Sequence, residues 1–264
     1  MRIFALSDLH TDFRENRRLI QRLAERDYRG DALIVAGDVA DRLETVRETL
    51  GFLRGLFADV WFVPGNHELW VRNDPRDSVQ KFHAVLAACA EVGVRTAPGR
   101  AAGHWIVPLF SWYDAAFDVR GEGVQADLEA WSDNYFCRWP PDVGSPSAYF
   151  ATLNERSLRA YDAPVVTFSH FVPRPELVPP VRYLSFKGLP KVAGSLRIDQ
   201  QLRAVGSRVH VFGHTHLADD RVIDGVRYVQ NWMNPRRSDG PDTPLKLIHD
   251  AGAELPSALQ PLFC

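Results

Sequence analysis

Two imidazoles one residue apart, His214 and His216 in "VFGHTHLADD", follow an apolar run with the length and residue types of a buried strand. Alternate residues of a strand point to the same side, so both rings could converge on one small object, and a metal ion is the candidate. The plain alternative is a polar loop beside a turn; company elsewhere in the chain decides. Four other apolar runs supply that company. "IFALSDLH" ends in Asp8 and His10 at the same spacing, "LIVAGD" in Asp38, "FVPGNHE" in Asn66 and His67, and "VVTFSH" in His170. Each has an ordinary reading: Asp8 or Asp38 as a helix cap, Asn66 in a left-handed turn after Gly65, His170 as a buried, hydrogen-bonded ring. Five strand ends that each deliver a metal-ligating residue type argue jointly against it. Carboxylate, amide and imidazole donors without sulfur suit Mn²⁺, Fe or Zn²⁺.

The elements that must hold these residues are short apolar runs at 3–8, 32–38, 60–66, 104–112, 164–170, 209–214, 226–232 and 245–250, read as strands. Between the first three lie "RENRRLIQRLAERDY" and "RLETVRETLGFLRGLF", with apolar positions three and four apart, the pattern of amphipathic helices. Residues 76–92 and 195–205 are two further helix candidates. Strand, helix, strand, helix, strand implies a parallel α/β sheet, whose carboxyl edge is where ligands bind. Pro- and Gly-rich stretches at 97–103, 139–146, 172–180 and 234–244 read as loops rather than domain linkers. The whole of residues 1–264 is expected to form one domain.

At 264 residues, 45% hydrophobic and 24% charged, the chain has a globular composition and length enough for a core without staples. Lys and Arg total 31 against 33 Asp and Glu, a net charge of −2, which argues against a nucleic-acid partner. The three cysteines, Cys89, Cys137 and Cys264, form no CxxC pair, so neither a disulfide framework nor a thiolate zinc site is suggested. The apolar run after Met1 is too short for a signal peptide, and no stretch reaches the roughly 18 apolar residues of a membrane span. A cytoplasmic protein with no membrane partner is the expectation; the oligomeric state is open.

The blocks "SDLH", "GDVAD", "GNHE", "SH" and "GHTH", in that order across residues 7–216, resemble the calcineurin-like metallophosphoesterase superfamily. The resemblance implies an α/β fold, a four-layer α/β/β/α sandwich with a dinuclear metal site at the carboxyl ends of the strands. Carried over by motif, Asp8, His10, Asp38 and His216 hold one ion, and Asp38, Asn66, His170 and His214 the other, with Asp38 as bridge. Two divalent ions, Mn, Fe or Zn with Mn favoured, are the implied cofactors. A metal-bridging hydroxide is the implied nucleophile. His67 follows a ligand directly and is assigned to the substrate side, as donor to the phosphate or leaving group. Asp41 matches the second Asp of "GDxxD" and is read as orienting His67, against the alternative of a first-turn helix carboxylate. Glu68 is read as supporting or capping rather than catalytic, and His83, His104, His210 and His249 as structural.

Residues 105–150 are rich in aromatic side chains, among them Trp112, Tyr113, Trp131 and Trp139. Core packing accounts for most, while Trp112, Tyr113 and Arg138 are candidates to contact what the phosphate carries. Arg236 and Arg237 in "NPRR" read as surface residues or further contacts. The reaction expected is phosphodiester hydrolysis of a small-molecule phosphoester, with phosphomonoesterase or nucleotide pyrophosphatase activity as the alternative. "GDVADR" is similar to the "GDxVDRG" of protein phosphatases, but Leu43 replaces the Gly and "SDLH" departs from their "GDxHG". A non-enzymatic interaction scaffold on the same fold is the alternative of another class, disfavoured because every ligand position is filled.

Overall fold

The computed structural model describes residues 1–72, 74–234 and 244–252. Its strands are β1 (Arg2–Leu6), β2 (Ala32–Val35), β3 (Asp59–Phe62), β4 (Gly99–Ala101), β5 (His104–Pro108), β6 (Val165–Phe168), β7 (Ser207–Phe212), β8 (Asp219–Ile223), β9 (Val226–Gln230) and β10 (Lys246–Asp250). The helices are α1 (Arg14–Arg22), α2 (Leu43–Leu56), α3 (Ser78–Glu91), α4 (Asp133–Phe136), α5 (Pro146–Leu153), α6 (Leu189–Val192) and α7 (Leu196–Ala204). One sheet runs β10-β1-β2-β3 and the other β4-β5-β6-β7-β9-β8. In the first, β1, β2 and β3 are parallel and β10 is antiparallel; in the second, β5, β6, β7 and β9 are parallel between two antiparallel edges.

The strands read as continuous apolar runs because both faces of each sheet are buried. Ile3 and Ala5 of β1, Ile34 of β2 and Trp61 of β3 meet Ile106, Val166, Phe168, Val211 and Val229 of the other sheet in the central layer. The alternate residues Phe4, Leu6, Leu33, Val35, Val60 and Phe62 pack on Ile20, Leu50, Leu53 and Val85 of α1, α2 and α3. Val107, Phe212 and Tyr228 pack on Phe150 of α5 and on Ile198 and Leu202 of α7. This is the four-layer α/β/β/α sandwich. The sheets are tied where β1 ends: Ser7 donates its N–H to Asn231 O at 2.9 Å and accepts from Met233 N at 2.9 Å.

Two strands lie where loops or nothing were expected. The 97–103 stretch contains β4, which turns into β5 through Ala102 and Gly103, both at positive φ. β8 pairs with β9 through Asp224-Gly225, φ 47° and 76°, the Asp-Gly signal of a two-residue hairpin. α3 starts where the Asp77 carboxylate accepts from Gln80 N and the Gln80 side chain accepts from Asp77 N, a reciprocal cap. Among the described residues no helix is long and apolar enough to cross a membrane. Arg236, Arg237 and Cys264 lie outside the described residues.

Candidate metal centre

All seven candidate ligands come from loops just past the carboxyl ends of β1, β2, β3, β6 and β7. Their ligand atoms fall into overlapping groups: Asp8 with His10 and His216, and Asp38 with His170 and His214, each within 4.8 Å. His10, Asp38 and His67 form a third group of the same size between them. Asp38 Oδ2 is central, 3.3 Å from His170 Nε2 and 3.9 Å from both His10 Nε2 and His67 Nε2. Asp8, Asp38, Asn66 and His170 are buried, whereas the His216 side chain is 42% exposed and marks the open side.

Strand alternation is not what aims these residues, contrary to the expectation for His214 and His216. β7 stops at Phe212, and the two rings go to different groups. Asp8, His10, Asp38, His214 and His216 all have φ between 42° and 75°. Among the described residues only Ala102 and Asp224, both in hairpin turns, share that backbone among non-glycines. Left-handed backbone in such residues costs about 1–3 kcal/mol each and persists where the surroundings dictate it. The glycines beside them are needed for close approach. A Cβ on Gly65 would lie 2.8 Å from the His170 ring and still closer to Asp38 Oδ1, and one on Gly37, itself at φ 84°, would enter the same ring.

The hydrogen bonds leave the right atoms free for cations. His170 Nδ1 lies 2.9 Å from Ala36 O and donates to it, so Nε2 is the ring atom turned toward the cluster. His214 Nε2 does the same with Val192 O at 3.0 Å, leaving Nδ1. Asn66 donates Nδ2 to Asp133 Oδ1 at 2.9 Å and turns Oδ1 toward His170 Nε2, 3.2 Å away. Burial pushes the Asp8 carboxyl up, but the His216 hydrogen bond and charge outweigh it and hold it at about 2. A donor set of this kind, pre-turned and free of sulfur, fits two divalent ions.

His67 is anchored by its own N–H to Asp38 Oδ1 at 3.1 Å, and its Nδ1 lies 2.7 Å from Asp41 Oδ1. Its ring sits 3.7 Å from the Trp70 ring, centre to centre. Burial lowers its pKa, but Asp38 and the Asp41 hydrogen bond raise it further, to about 9. Three polar residues hold this arrangement, Glu68 in the supporting role read from the sequence and two, Lys81 and Asp133, that the sequence did not single out. Glu68, fully buried, accepts from Asp38 N, Val39 N, Ala40 N and Gly65 N at 2.6–3.1 Å. Lys81 of α3, also buried, donates to Asp41 O and Trp70 O, the carbonyls on either side of His67. Asp133 of α4 collects Asn66, Trp70 and Trp131. The one available signal was a charged residue in an otherwise apolar setting: Glu68 inside "GNHELW", Lys81 on an amphipathic helix and Asp133 among aromatics.

The substrate candidates separate. Trp112 is 4% exposed and packs on Trp139, Phe150 and Phe171, so it belongs to the core and not to the rim of the site. Arg138 is committed to the carbonyls of Asp74, Pro75 and Arg76, and the cluster does not include it. Tyr113 does lie beside the cluster, 6.4 Å from the His214 ring and nearly parallel to it. Trp131 lies 5.9 Å from the same ring and stacks on Phe186 at 5.2 Å, a wall that the candidates did not include. Across the site, a cleft of about 620 Å³ is lined by Asp41, Arg42, Trp70, Arg72, Arg76 and Lys81. His210 is structural, buried against Thr167 and Ser169.

Two parallel-rich sheets whose carboxyl edges carry clustered oxygen and nitrogen donors define a metal-dependent phosphoester hydrolase. The chain belongs to the calcineurin-like phosphoesterase family, which it matches over residues 1–218. It is 31% identical over 251 residues to the acyl-carrier-protein phosphodiesterase PptH of Mycobacterium tuberculosis, spanning 86% of this chain and 75% of that one. The crystal structure of phosphopantetheinyl hydrolase PptH from the same organism shares the fold at a TM-score of 0.78 and 28% identity, over 97% of this chain and 98% of that one. TT1561 of Thermus thermophilus, with a TM-score of 0.51, 12% identity and 88% and 89% coverage, is a likeness of fold alone. PptH is a phosphodiesterase of an acyl-carrier protein, whereas a small-molecule phosphoester was the expectation for this chain from its sequence.

Proposed function

We propose that this phosphodiesterase hydrolyses the phosphodiester linking a phosphopantetheinyl group to a carrier-protein serine. The observation that carries this is the likeness to PptH over nearly the whole chain. The ligand set proposed is that of the motifs: Asp8, His10, Asp38 and His216 for one ion, and Asp38, Asn66, His170 and His214 for the other. Mn²⁺ is the favoured ion and the cytoplasm the proposed compartment, in keeping with free thiols at Cys89 and Cys137. Residues 1–264 are read as one domain.

When bound, two divalent ions supply Lewis acidity toward the phosphate oxygens and the attacking water. The water oxygen forms a bond to phosphorus, losing a proton to solvent, as the bond to the serine oxygen breaks. His67, oriented by Asp41 through Nδ1, presents Nε2 to the departing oxygen and gives it a proton. The carrier protein then lies on the His67 side, over the cleft with Arg42 and Arg72, whose guanidinium groups have no carboxylate partner among the described residues. The pantetheine arm lies on the other side, along Trp131 and Phe186. Incubating a holo carrier protein with the Mn²⁺-loaded enzyme is expected to convert it to the apo form, read as a mass loss equal to the phosphopantetheinyl group. An unchanged carrier-protein mass, beside turnover of small phosphodiesters, would refute the substrate and leave the chemistry.

A further inference from the structure

Asp133 has no place in the sequence motifs, yet it is 3% exposed and every group facing it is a donor. Asn66 Nδ2 and Trp70 Nε1 donate to Oδ1 at 2.9 and 2.6 Å, and Trp131 Nε1 to Oδ2 at 3.0 Å. The Tyr113 hydroxyl accepts from the same Trp131 Nε1 at 3.0 Å. An asparagine amide has two faces of opposite polarity, and only its oxygen can bind a cation. Turned over, Asn66 would set its oxygen against Asp133 Oδ1, acceptor on acceptor, and aim its NH₂ at the cluster of Asp38 and His170.

We propose that Asp133 is a positioning residue that fixes the amide of Asn66 with Oδ1 toward the metal cluster. It acts through Asn66 and touches neither substrate nor ion. The carboxylate is itself held from two sides, by Trp70 next to the catalytic histidine and by Trp131 of the aromatic wall, so its own orientation is not free. Outer partners of this kind typically change metal affinity by about 10–100-fold when removed. The inference rests on the proposed role of Asn66 as a ligand, and the test separates the two.

Mn²⁺ binding to the full chain, followed by equilibrium dialysis with metal analysis, is the measurement. Asp133→Leu keeps the size but leaves the Asn66 amide with no acceptor. The expected result is one Mn²⁺ bound as in the unmodified protein and the other at least about tenfold more weakly. Trp131→Phe, which removes a donor from Oδ2 and leaves the Asn66 bond in place, is expected to change neither affinity. Unchanged affinities in Asp133→Leu, or an equal loss in Trp131→Phe, would overturn the proposal. Asn66→Ala binding both ions normally would overturn the ligand assignment and this inference with it; weaker binding in Asn66→Ala beside normal binding in Asp133→Leu would overturn the inference alone. Should Asp133→Leu fail to fold, the unmodified metal-free protein decides. Slow hydrogen exchange at the Asn66 side-chain amide supports a fixed donor, and exchange at the rate of an open amide overturns it.

Discussion

His67 is held at three points, its own N–H on Asp38, its Nδ1 on Asp41 and its ring on Trp70, so that only Nε2 is uncommitted to a close partner. As the proposed proton donor, a ring so placed is expected to affect the rate according to the leaving group. His67→Ala is expected to slow esters with alkoxide leaving groups by about 10²–10⁴-fold, the usual reach of general acid catalysis. Aryl esters such as p-nitrophenyl esters, whose phenolate departs unaided, should be slowed far less. Parallel rates on both ester types with metal content measured alongside are the check; equal losses would make His67 a phosphate-binding group. The pairing of His67 with Asp41 was legible in the motif. The partners Asp133 and Lys81 were not, because they come from elements 67 and 11 residues away from the groups they hold, where no local pattern marks a contact.

In the loops after β2 and β3 the N–H groups of Asp38, Val39, Ala40 and Gly65 all donate to the two carboxylate oxygens of Glu68. Glu68→Gln would turn an NH₂ toward N–H groups buried around a side chain that is itself fully buried. The expected cost is about 1–3 kcal/mol for the donors left unpaired, seen as a fall in the melting temperature of the metal-free protein. An unchanged melting temperature would mean that the loops hold without it. The strands flanking these loops were readable because burial on both faces leaves continuous apolar runs. β4 and β8 were not, since edge strands need little apolar content: β8 reads Asp-Asp-Arg-Val-Ile and is mostly exposed. The Asp-Gly turn after it was the overlooked signal. Trp112 was misplaced for a related reason, since aromatic density alone does not say which rings face inward; its neighbours Phe150 and Phe171 come from α5 and the loop after β6.

The proposed ligands divide between the sheets, Asp8, His10, Asp38 and Asn66 from one and His170, His214 and His216 from the other. Ions bound there would add to the central apolar contacts and to polar bonds that already join the two layers, among them His170 to Ala36 O and His214 N to Asp8. Mn²⁺ is therefore expected to raise the melting temperature while preserving a single transition, with about 2.7 kcal/mol gained per ion at a hundredfold excess over its Kd. Asp38→Ala, which removes the shared carboxylate, should abolish that shift along with turnover. Calorimetry with and without chelator is the measurement, and two separate transitions would contradict one cooperative unit. β1 lies between β2 and β10, and Arg2 is paired with Asp250. During synthesis β1 leaves the ribosome long before β10, and until then its N–H and C=O groups on that side stay open to any other extended segment. The nascent chain therefore carries an unfilled sheet edge for as long as β10 takes to arrive.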